Sequence, residues 1–481
     1  MKYLYGASVQ GIQGFIFQTN KLKDIIGASE LVKNICGDIF RDEFLKSGTV
    51  VVAAAGNVKC IYADETECQN TVLRFPKRVM ERVPGITISQ AVVEYTNVLT
   101  FKDACNELEK RLRAQRSRRP KSLTGGLIAM ERSRTTGLPA AEVNSKDGFL
   151  DECTQSKRDA LGENNVAQLK LCTDFFGRNV YASEVPFDFK DLTKHNEWIA
   201  IVHADGNGLG EVVARKSNSP QELEAFSRNL DSATKTAAVK ACDYMREAKG
   251  IDVVKAIRPI ILGGDDLTIV CSADIAVDFV EEYLRQFETE SKSQIGDMLT
   301  ACAGIAFIKS SYPFHYGYEL AEALCGKAKA DAKSEAMTMR NGGKAPSCLM
   351  FHKVQSSFVE DFAAIEHKEL TPQKGHSYIY GPYYLKEQEE RTTIAELLKL
   401  VGDISRDDNN NVKSAIRRWL TDMAIDINLA KQQRERSLSI LSGDKKDFYK
   451  KATTDTMREG VIRYLAYDLL ALHVVKQQCI K

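Results

Sequence analysis

Two adjacent carboxylates, Asp265 and Asp266, follow the glycine pair Gly263-Gly264, and all four residues stand between the apolar runs Ile260-Ile261-Leu262 and Leu267-Thr268-Ile269-Val270. The pattern predicts a β-hairpin with its acids at the tip, where glycines permit positive φ and let a substrate approach the backbone. Two neighbouring negative charges repel each other there unless a cation neutralises them. Gly and Asp are also ordinary turn residues, so the hairpin alone leaves a plain turn and a metal site both open. A third carboxylate, Asp205, follows the apolar run Trp198-Ile199-Ala200-Ile201-Val202 and precedes Gly206-Asn207-Gly208-Leu209-Gly210. Asp205, Asp265 and Asp266, with Gly206 beside them, make a candidate cage for Mg2+ or Mn2+, hard ions that take oxygen ligands. Two such ions about 3.5–4 Å apart would activate an attacking hydroxyl and stabilise a leaving pyrophosphate, which is nucleotidyl-transfer chemistry. Gly263, Gly264, Asn207 and Gly208 are the accompanying candidate nucleotide-binding positions. The Asp205 loop fits neither an EF-hand, because Lys216 stands where the bidentate Glu belongs, nor a dinucleotide fingerprint, because it reads G-x-G-x-G.

The elements that must hold these residues read as strand 198–204, helix 220–248, a strand through 262, strand 267–272, helix 273–290 and strand 299–308. Val277, Val280, Leu284 and Phe287 recur at near-helical spacing and support the second helix. The order is βαββαβ, the ferredoxin-like unit, in which the first strand lies beside the hairpin and brings Asp205 to Asp265. A weaker copy precedes it: a strand over 2–7, an apolar hairpin within Thr49 to Tyr62, and a strand over 86–95. Its tip reads Ala55-Gly56-Asn57 with no acid following, so it cannot hold metal in the same way. Two readings remain: an accidental likeness between two α/β segments, or a pair of palm-type domains, one catalytic and one degenerate. The expected fold is α+β, with two ferredoxin-like (βαββαβ) palm domains plus a C-terminal helical domain.

The chain has 481 residues, 43% hydrophobic and 27% charged, enough to bury several cores, and no apolar stretch of membrane-spanning length. With no signal peptide at its start, it is expected to be cytoplasmic, without a membrane partner. Twelve scattered cysteines, such as Cys60, Cys271 and Cys302 within apolar runs, read as reduced core residues. The net charge of +1 argues against a surface that binds nucleic acid all over. One exception is the segment from Lys110 to Lys121, where seven of twelve residues are basic, Arg111, Arg113, Arg116, Arg118 and Arg119 among them. A run of this kind serves either as a solvated helix end or as a contact to RNA or nucleotide phosphates. Residues 141–195 are mixed and polar, a linker or small insertion. After Thr371-Pro372 and Gly381-Pro382 the tail turns helical, with Ile394, Leu397, Leu398 and Val401 on one face and Asp407-Asp408-Asn409-Asn410-Asn411 as a helix-to-helix turn.

Several stretches resemble the polymerase/cyclase large subunit of type III CRISPR effector complexes and its stand-alone relatives. Val9-Gln10-Gly11-Ile12-Gln13-Gly14-Phe15-Ile16-Phe17 and Lys21-Leu22-Lys23-Asp24-Ile25-Ile26-Gly27-Ala28-Ser29 are similar to that family's first-palm signature. Asp205 with its glycine loop, the Gly-Gly-Asp-Asp hairpin, and Glu319 to Leu324 leading to Ala328-Lys329 resemble its second palm, so that the likeness spans about residues 1–350. The resemblance implies a degenerate palm over 1–140, an insertion over 141–195, a catalytic palm over 196–350 and a helical domain over 375–481. It implies that a lysine on the helix after the last palm strand reaches the triphosphate, which makes Lys329, with its neighbour Lys327, a phosphate-binding candidate; plain solvation of that helix is the competing reading. It implies ATP as substrate, joined 3′-5′ into short cyclic oligoadenylates as the 3′-hydroxyl of one nucleotide attacks the α-phosphate of another and pyrophosphate leaves. Other type III subunits and a guide RNA are the implied partners. The chain departs from the family in two places. No His-Asp pair stands ahead of the palm signature, so no HD nuclease is expected, and Glu131 to Ala140 resembles the edge of the family's zinc insert with its cysteines replaced. Cys105, Cys153 and Cys172 form no C-x-x-C pair, so no zinc is expected. Two alternatives stay open: a scaffold subunit of an RNA-guided complex, and a palm-type template-dependent polymerase.

Overall fold

A computed structural model describes residues 2–45, 48–54, 56–95, 100–118, 129–144, 148–193, 197–356, 361–389, 391–406 and 409–477. Ala55, Arg119 and the Asp407-Asp408 pair lie outside the described residues. The chain forms two compact units, one of Met1–Asp191, Gly208–Thr268 and Gln286–Leu299, the other of Leu192–Asn207, Ile269–Arg285 and Thr300–Lys481.

The first unit holds a four-stranded sheet in the order β2-β3-β1-β4, with β1 at Lys2–Gln10, β2 at Thr49–Ala54, β3 at Asn57–Tyr62 and β4 at Thr87–Tyr95. β1 runs antiparallel to both neighbours, from Tyr3 opposite Tyr62 to Ser8 opposite Asn57 and from Lys2 opposite Tyr95 to Gln10 opposite Thr87. With helices α1 (Leu22–Asn34) and α2 (Glu65–Arg82) between the strands, this is the expected ferredoxin-like order. Helix α3 (Phe101–Arg116) starts where the Thr100 hydroxyl accepts the Asp103 N–H, and it lays Phe101, Ala104, Leu108 and Leu112 on Leu4, Val51 and Val93. Gly6 makes that approach feasible, since a Cβ there would stand 2.7 Å from Leu108 Cδ2.

The segment between the palms is an integral part of this unit rather than a tether. A hairpin of Ala140–Asn144 and Gly148–Asp151 leads into short helices at Glu152–Asp159 and Lys170–Phe176. Buried Lys157 donates to the Phe15 carbonyl at 2.7 Å, and Arg158 pairs with buried Asp24 at 2.9 Å. Gly27 lies so close to the Lys157 backbone that a Cβ would be 1.7 Å from its carbonyl oxygen. Glu30 on α1 accepts the N–H groups of Lys170 and Leu171, both at 2.9 Å, and so caps the Lys170–Phe176 helix.

The second sheet has six strands in the order β10-β9-β8-β5-β7-β6: β5 at Trp198–Gly206, β6 at Ile257–Gly263, β7 at Asp266–Ser272, β8 at Ala301–Lys309, β9 at Cys348–Lys353 and β10 at Tyr383–Tyr384. Its four ferredoxin-like strands carry helices α4 (Leu209–Lys216), α5 (Pro220–Glu247) and α6 (Ala276–Ile295) between them. A further helix, α7 (Phe314–Ala332), crosses over to β9, which pairs parallel to β8 and widens the sheet beyond the expected four strands.

Beyond residue 390 the helices α8 (Ile394–Ile404), α9 (Asn410–Ile425), α10 (Ile427–Ile440), α11 (Gly443–Ala452) and α12 (Leu465–Lys476) bear out the helical tail, which is nevertheless not purely helical. A small sheet joins His376–Ser377 to Val461–Tyr464 and Asp455–Arg458. Its hairpin turns through Glu459 at φ 52° and Gly460 at φ 76°, the pair of positive φ values that a two-residue turn demands.

Candidate active site

β5 ends at Gly206, and the turn between β6 and β7 carries Gly264 at φ 65° followed by Asp265 and Asp266. The sheet order makes β5 and β7 neighbours. Carboxylate oxygens of half-buried Asp205, Asp265 and Asp266 lie within 4.8 Å of one another, a spacing that a divalent cation can span. Three like charges this close demand a counter-charge, and part of it comes from the chain itself: the Lys329 ammonium forms an ion pair with Asp205 Oδ2. The lysine is 18% exposed and the aspartate 33%, so the pair is shielded yet reachable by a ligand. The residues thus fit the divalent ions expected from the sequence.

Lys329 arrives there because α7 packs unusually close to the sheet. A Cβ on Gly304 of β8 would stand 1.9 Å from the Ala321 carbonyl oxygen and 2.4 Å from the Cys325 nitrogen, and one on Gly317 would stand 2.7 Å from Ile201 Cδ1. Lys327 lies two residues away on the same helix and therefore faces elsewhere. It pairs with Glu366 and sits 4.6 Å from the centre of the Phe362 ring, so the structure sends this predicted nucleotide ligand away from the carboxylates.

The loop after Asp205 is braced from behind. Asn207 donates its backbone N–H to the Thr300 carbonyl at 2.8 Å and its Nδ2 to Thr300 Oγ1 at 3.1 Å, while its Oδ1 accepts from Cys302 Sγ at 3.3 Å. Its side chain thus positions the loop. Gly208, at φ 67°, opens α4. Thr234, fully buried on α5, donates its hydroxyl to the Gly264 carbonyl at 2.6 Å and ties down the Gly-Gly-Asp-Asp turn. Sequence reasoning missed this residue; the small-residue stripe Ala233, Ala237, Ala238, Ala241 was the available signal of a closely packed helix face. Two residues before Asp205, His203 meets Tyr318 edge-on at 5.7 Å, and burial holds its imidazole below the usual range against the pull of Glu322 and Asp205.

The corresponding tip of the first sheet is built differently. Ser8 donates to Asn57 Oδ1 at 2.9 Å, and Arg116 Nη2 donates to the Ser8 hydroxyl at 2.8 Å, so a cation stands where the other hairpin gathers acids. Arg111 is engaged with Glu107 at 2.9 Å and the Val92 carbonyl at 2.6 Å, whereas Arg113 and Arg118 are exposed. Within the first unit a cavity of about 860 Å³ opens between residues of both predicted palms, among them Gly11, Ser29, Arg41, Arg228, Gly263 and Asp266. Its wall carries a chain of ion pairs, Lys33 to Asp174 at 2.8 Å, Asp174 to Lys235 at 3.0 Å, and Lys235 to Asp231 at 2.7 Å.

Residues 198–338 match the family model for the second palm domain of Cas10/Cmr2. No curated protein matches the chain by sequence. Among solved structures, the chain resembles the Csm1–Csm4 cassette in complex with pppApA, at 14% identity and a TM-score of 0.62, over 100% of this chain and 69% of that one. The same cassette with pppApApA gives 13%, 0.60, 100% and 69%, and with cA4 it gives 13%, 0.59, 100% and 70%. The fold expected from the sequence is therefore the fold observed: residues 198–338 carry a second palm domain of the Cas10/Cmr2 kind, in a chain whose fold resembles that of the Csm1–Csm4 cassette structures.

Proposed function

We propose that this chain is a metal-dependent nucleotidyltransferase that joins ATP into short cyclic oligoadenylates in a type III CRISPR setting. The observation that carries the reading is the convergence of Asp205, Asp265 and Asp266 within 4.8 Å, with Lys329 paired to the first. Crystal structures of the Csm1–Csm4 cassette with pppApA and cA4 support it as analogy. The domains we assign are a degenerate palm over 1–140, an insertion over 141–195, the catalytic palm over 196–350 and the C-terminal domain over 375–481, in a cytoplasmic protein without zinc.

Asp205, Asp265 and Asp266 would hold Mg2+ or Mn2+, two ions in the full site, supplying Lewis-acid activation of a 3′-hydroxyl and charge neutralisation at the leaving pyrophosphate. The chain's own residues do the rest. Gly263 and Gly264 keep the turn free of side chains so that phosphate oxygens can approach the backbone. Thr234 and Asn207 keep the turn and the loop from moving as charge shifts, the preorganisation on which electrostatic catalysis depends. Lys329 leaves Asp205 for the triphosphate when nucleotide enters, exchanging one anionic partner for another. The cavity beside Asp266 receives the second nucleotide, whose 3′-hydroxyl attacks the α-phosphorus as the bond to pyrophosphate breaks.

The test is mass spectrometry of products from each nucleoside triphosphate with Mg2+ or Mn2+, with and without RNA. Oligoadenylates are expected from ATP, with at least a hundredfold loss in the Asp265→Ala, Asp266→Ala double variant. No oligonucleotide under any condition, or an unaffected double variant, refutes the assignment. The exposure of Arg113 and Arg118 favours a second reading, a subunit whose main role is to hold other type III subunits and a guide RNA. Co-purification of small subunits and RNA with an inactive chain would establish it.

A further inference from the structure

We infer that the C-terminal part of the second unit contains a binding site for a phosphate group, built by Arg391, Arg458 and Arg463 and separate from the carboxylate centre. In the hairpin of Asp455–Arg458 and Val461–Tyr464, Thr456 pairs with Arg463 and Arg458 with Val461, so Thr456, Arg458 and Arg463 project from one face. Arg391 joins them, and its charge together with that of Arg463 pushes the Arg458 guanidinium below its usual range, in the same direction as burial, which is the largest cause. Three hydroxyls complete the lining: Tyr380 Oη lies 3.0 Å from Thr392 Oγ1 and 3.4 Å from Thr456 Oγ1. Each arginine is anchored by one hydrogen bond. Arg458 Nη1 donates to the Tyr380 carbonyl at 2.7 Å, Arg463 Nη1 to the Ile379 carbonyl at 3.1 Å, and Arg391 Nη2 to Asp331 at 3.0 Å.

What remains is four buried nitrogens, Arg391 Nη1, Arg458 Nε and Nη2, and Arg463 Nε, with no hydrogen-bond partner among the described residues. Buried guanidinium donors without acceptors are costly, and three like charges in one place add repulsion. Asp331 offsets one charge and is already shared with the Tyr384 hydroxyl. An anion with several oxygens satisfies the donors and the charge together, and the planar fork of arginine fits tetrahedral phosphate oxygens. The Tyr380 ring is buried and covered by Arg458 at 4.8 Å, so no face is left for stacking a base, and the site reads phosphate alone.

The experiment uses the full-length chain in phosphate-free buffer, titrated with inorganic phosphate at ionic strength fixed with chloride. The melting temperature of the unsubstituted protein is expected to rise with phosphate. In Arg458→Gln and in Arg463→Gln the response shifts to at least tenfold higher phosphate, while their melting temperatures without phosphate match or exceed that of the parent because repulsion is relieved. Broadening of the phosphate ³¹P resonance by the unsubstituted protein tests binding without any variant. A second arm titrates a short single-stranded RNA with blocked ends: tighter binding than phosphate, lost in Arg458→Gln, assigns the group to a strand, and a response to phosphate alone assigns it to a free anion. Absence of both responses, or variants that respond as the parent does, overturns the inference.

Discussion

Replacing Lys329 by Met removes the ammonium that pairs with Asp205 and leaves a side chain of similar length. Two unit charges about 4 Å apart in an effective dielectric near 20 attract by about 4 kcal/mol. Asp205 is 33% exposed, so water screens part of this, and about 1–2 kcal/mol is the share expected to survive. Without divalent ions the variant is therefore expected to melt about 2–8 °C lower, at the 2–4 °C per kcal/mol typical of large domains. A divalent ion neutralises the same carboxylates, so adding MgCl2 must raise the variant's melting temperature by more than it raises the parent's. Differential scanning fluorimetry in EDTA and in MgCl2 at matched ionic strength reads both numbers, independently of activity. A variant as stable as the parent in EDTA, with the same gain from Mg2+, would show that Lys329 does not balance this site, and the electrostatic reasoning would fall with it.

Thr234→Val keeps the shape of a buried side chain and deletes its bond to the Gly264 carbonyl, so we expect a loss of about 1–3 kcal/mol in urea unfolding and a fall in turnover that exceeds any change in KM. Gly304→Ala drives a methyl into the backbone of α7 and is expected to cost about 3 kcal/mol and, as Lys329 is displaced from Asp205, to enlarge the stabilisation by Mg2+, both read by thermal melts. Glu30 is buried, and burial raises its carboxyl from 4.5 to about 7, against the two N–H groups it caps. Its folded state therefore holds a proton that the unfolded chain has released, and stability must fall as pH rises between about 4.5 and 7. Glu30→Gln should flatten that slope by about 3 kcal/mol across the window in chemical denaturation at several pH values.

Much of the second palm was legible because local pattern alone determines it. Apolar runs of strand length flank Gly263-Gly264-Asp265-Asp266, and the βαββαβ order then fixes which strand neighbours which, so Asp205 could be placed beside the hairpin without coordinates. Features that depend on partners distant in sequence were not legible. Lys157 and Arg158 look like ordinary charges in a polar stretch, and only the fold shows that they meet Phe15 and Asp24, across sequence separations of 142 and 134 residues. The 455–464 hairpin escaped because its turn places Glu459, not Asn or Asp, at positive φ, which hides the usual signal. Lys327 and Lys329 look alike in sequence; helix geometry separates them, since residues two apart cannot share a face.

The same geometry explains how one chain can carry two similar hairpins with opposite electrostatics. In each sheet the hairpin tip adjoins the end of the first strand, so whatever charge stands there is concentrated. In the second sheet that place gathers three carboxylates, and it needs a cation from α7 or from solution. In the first it gathers Ser8, Asn57 and Arg116, a neutral pair crowned by a guanidinium from α3, and a divalent ion would be repelled. Arg116→Asp therefore tests whether that difference is electrostatic alone. If it is, the variant gains a weak Mn2+ response, visible as paramagnetic broadening of resonances from the first palm, while the response of the second palm is unchanged. If the backbone at the first tip is also unsuited to coordination, no new broadening appears, and the asymmetry of the two palms lies in the turn itself.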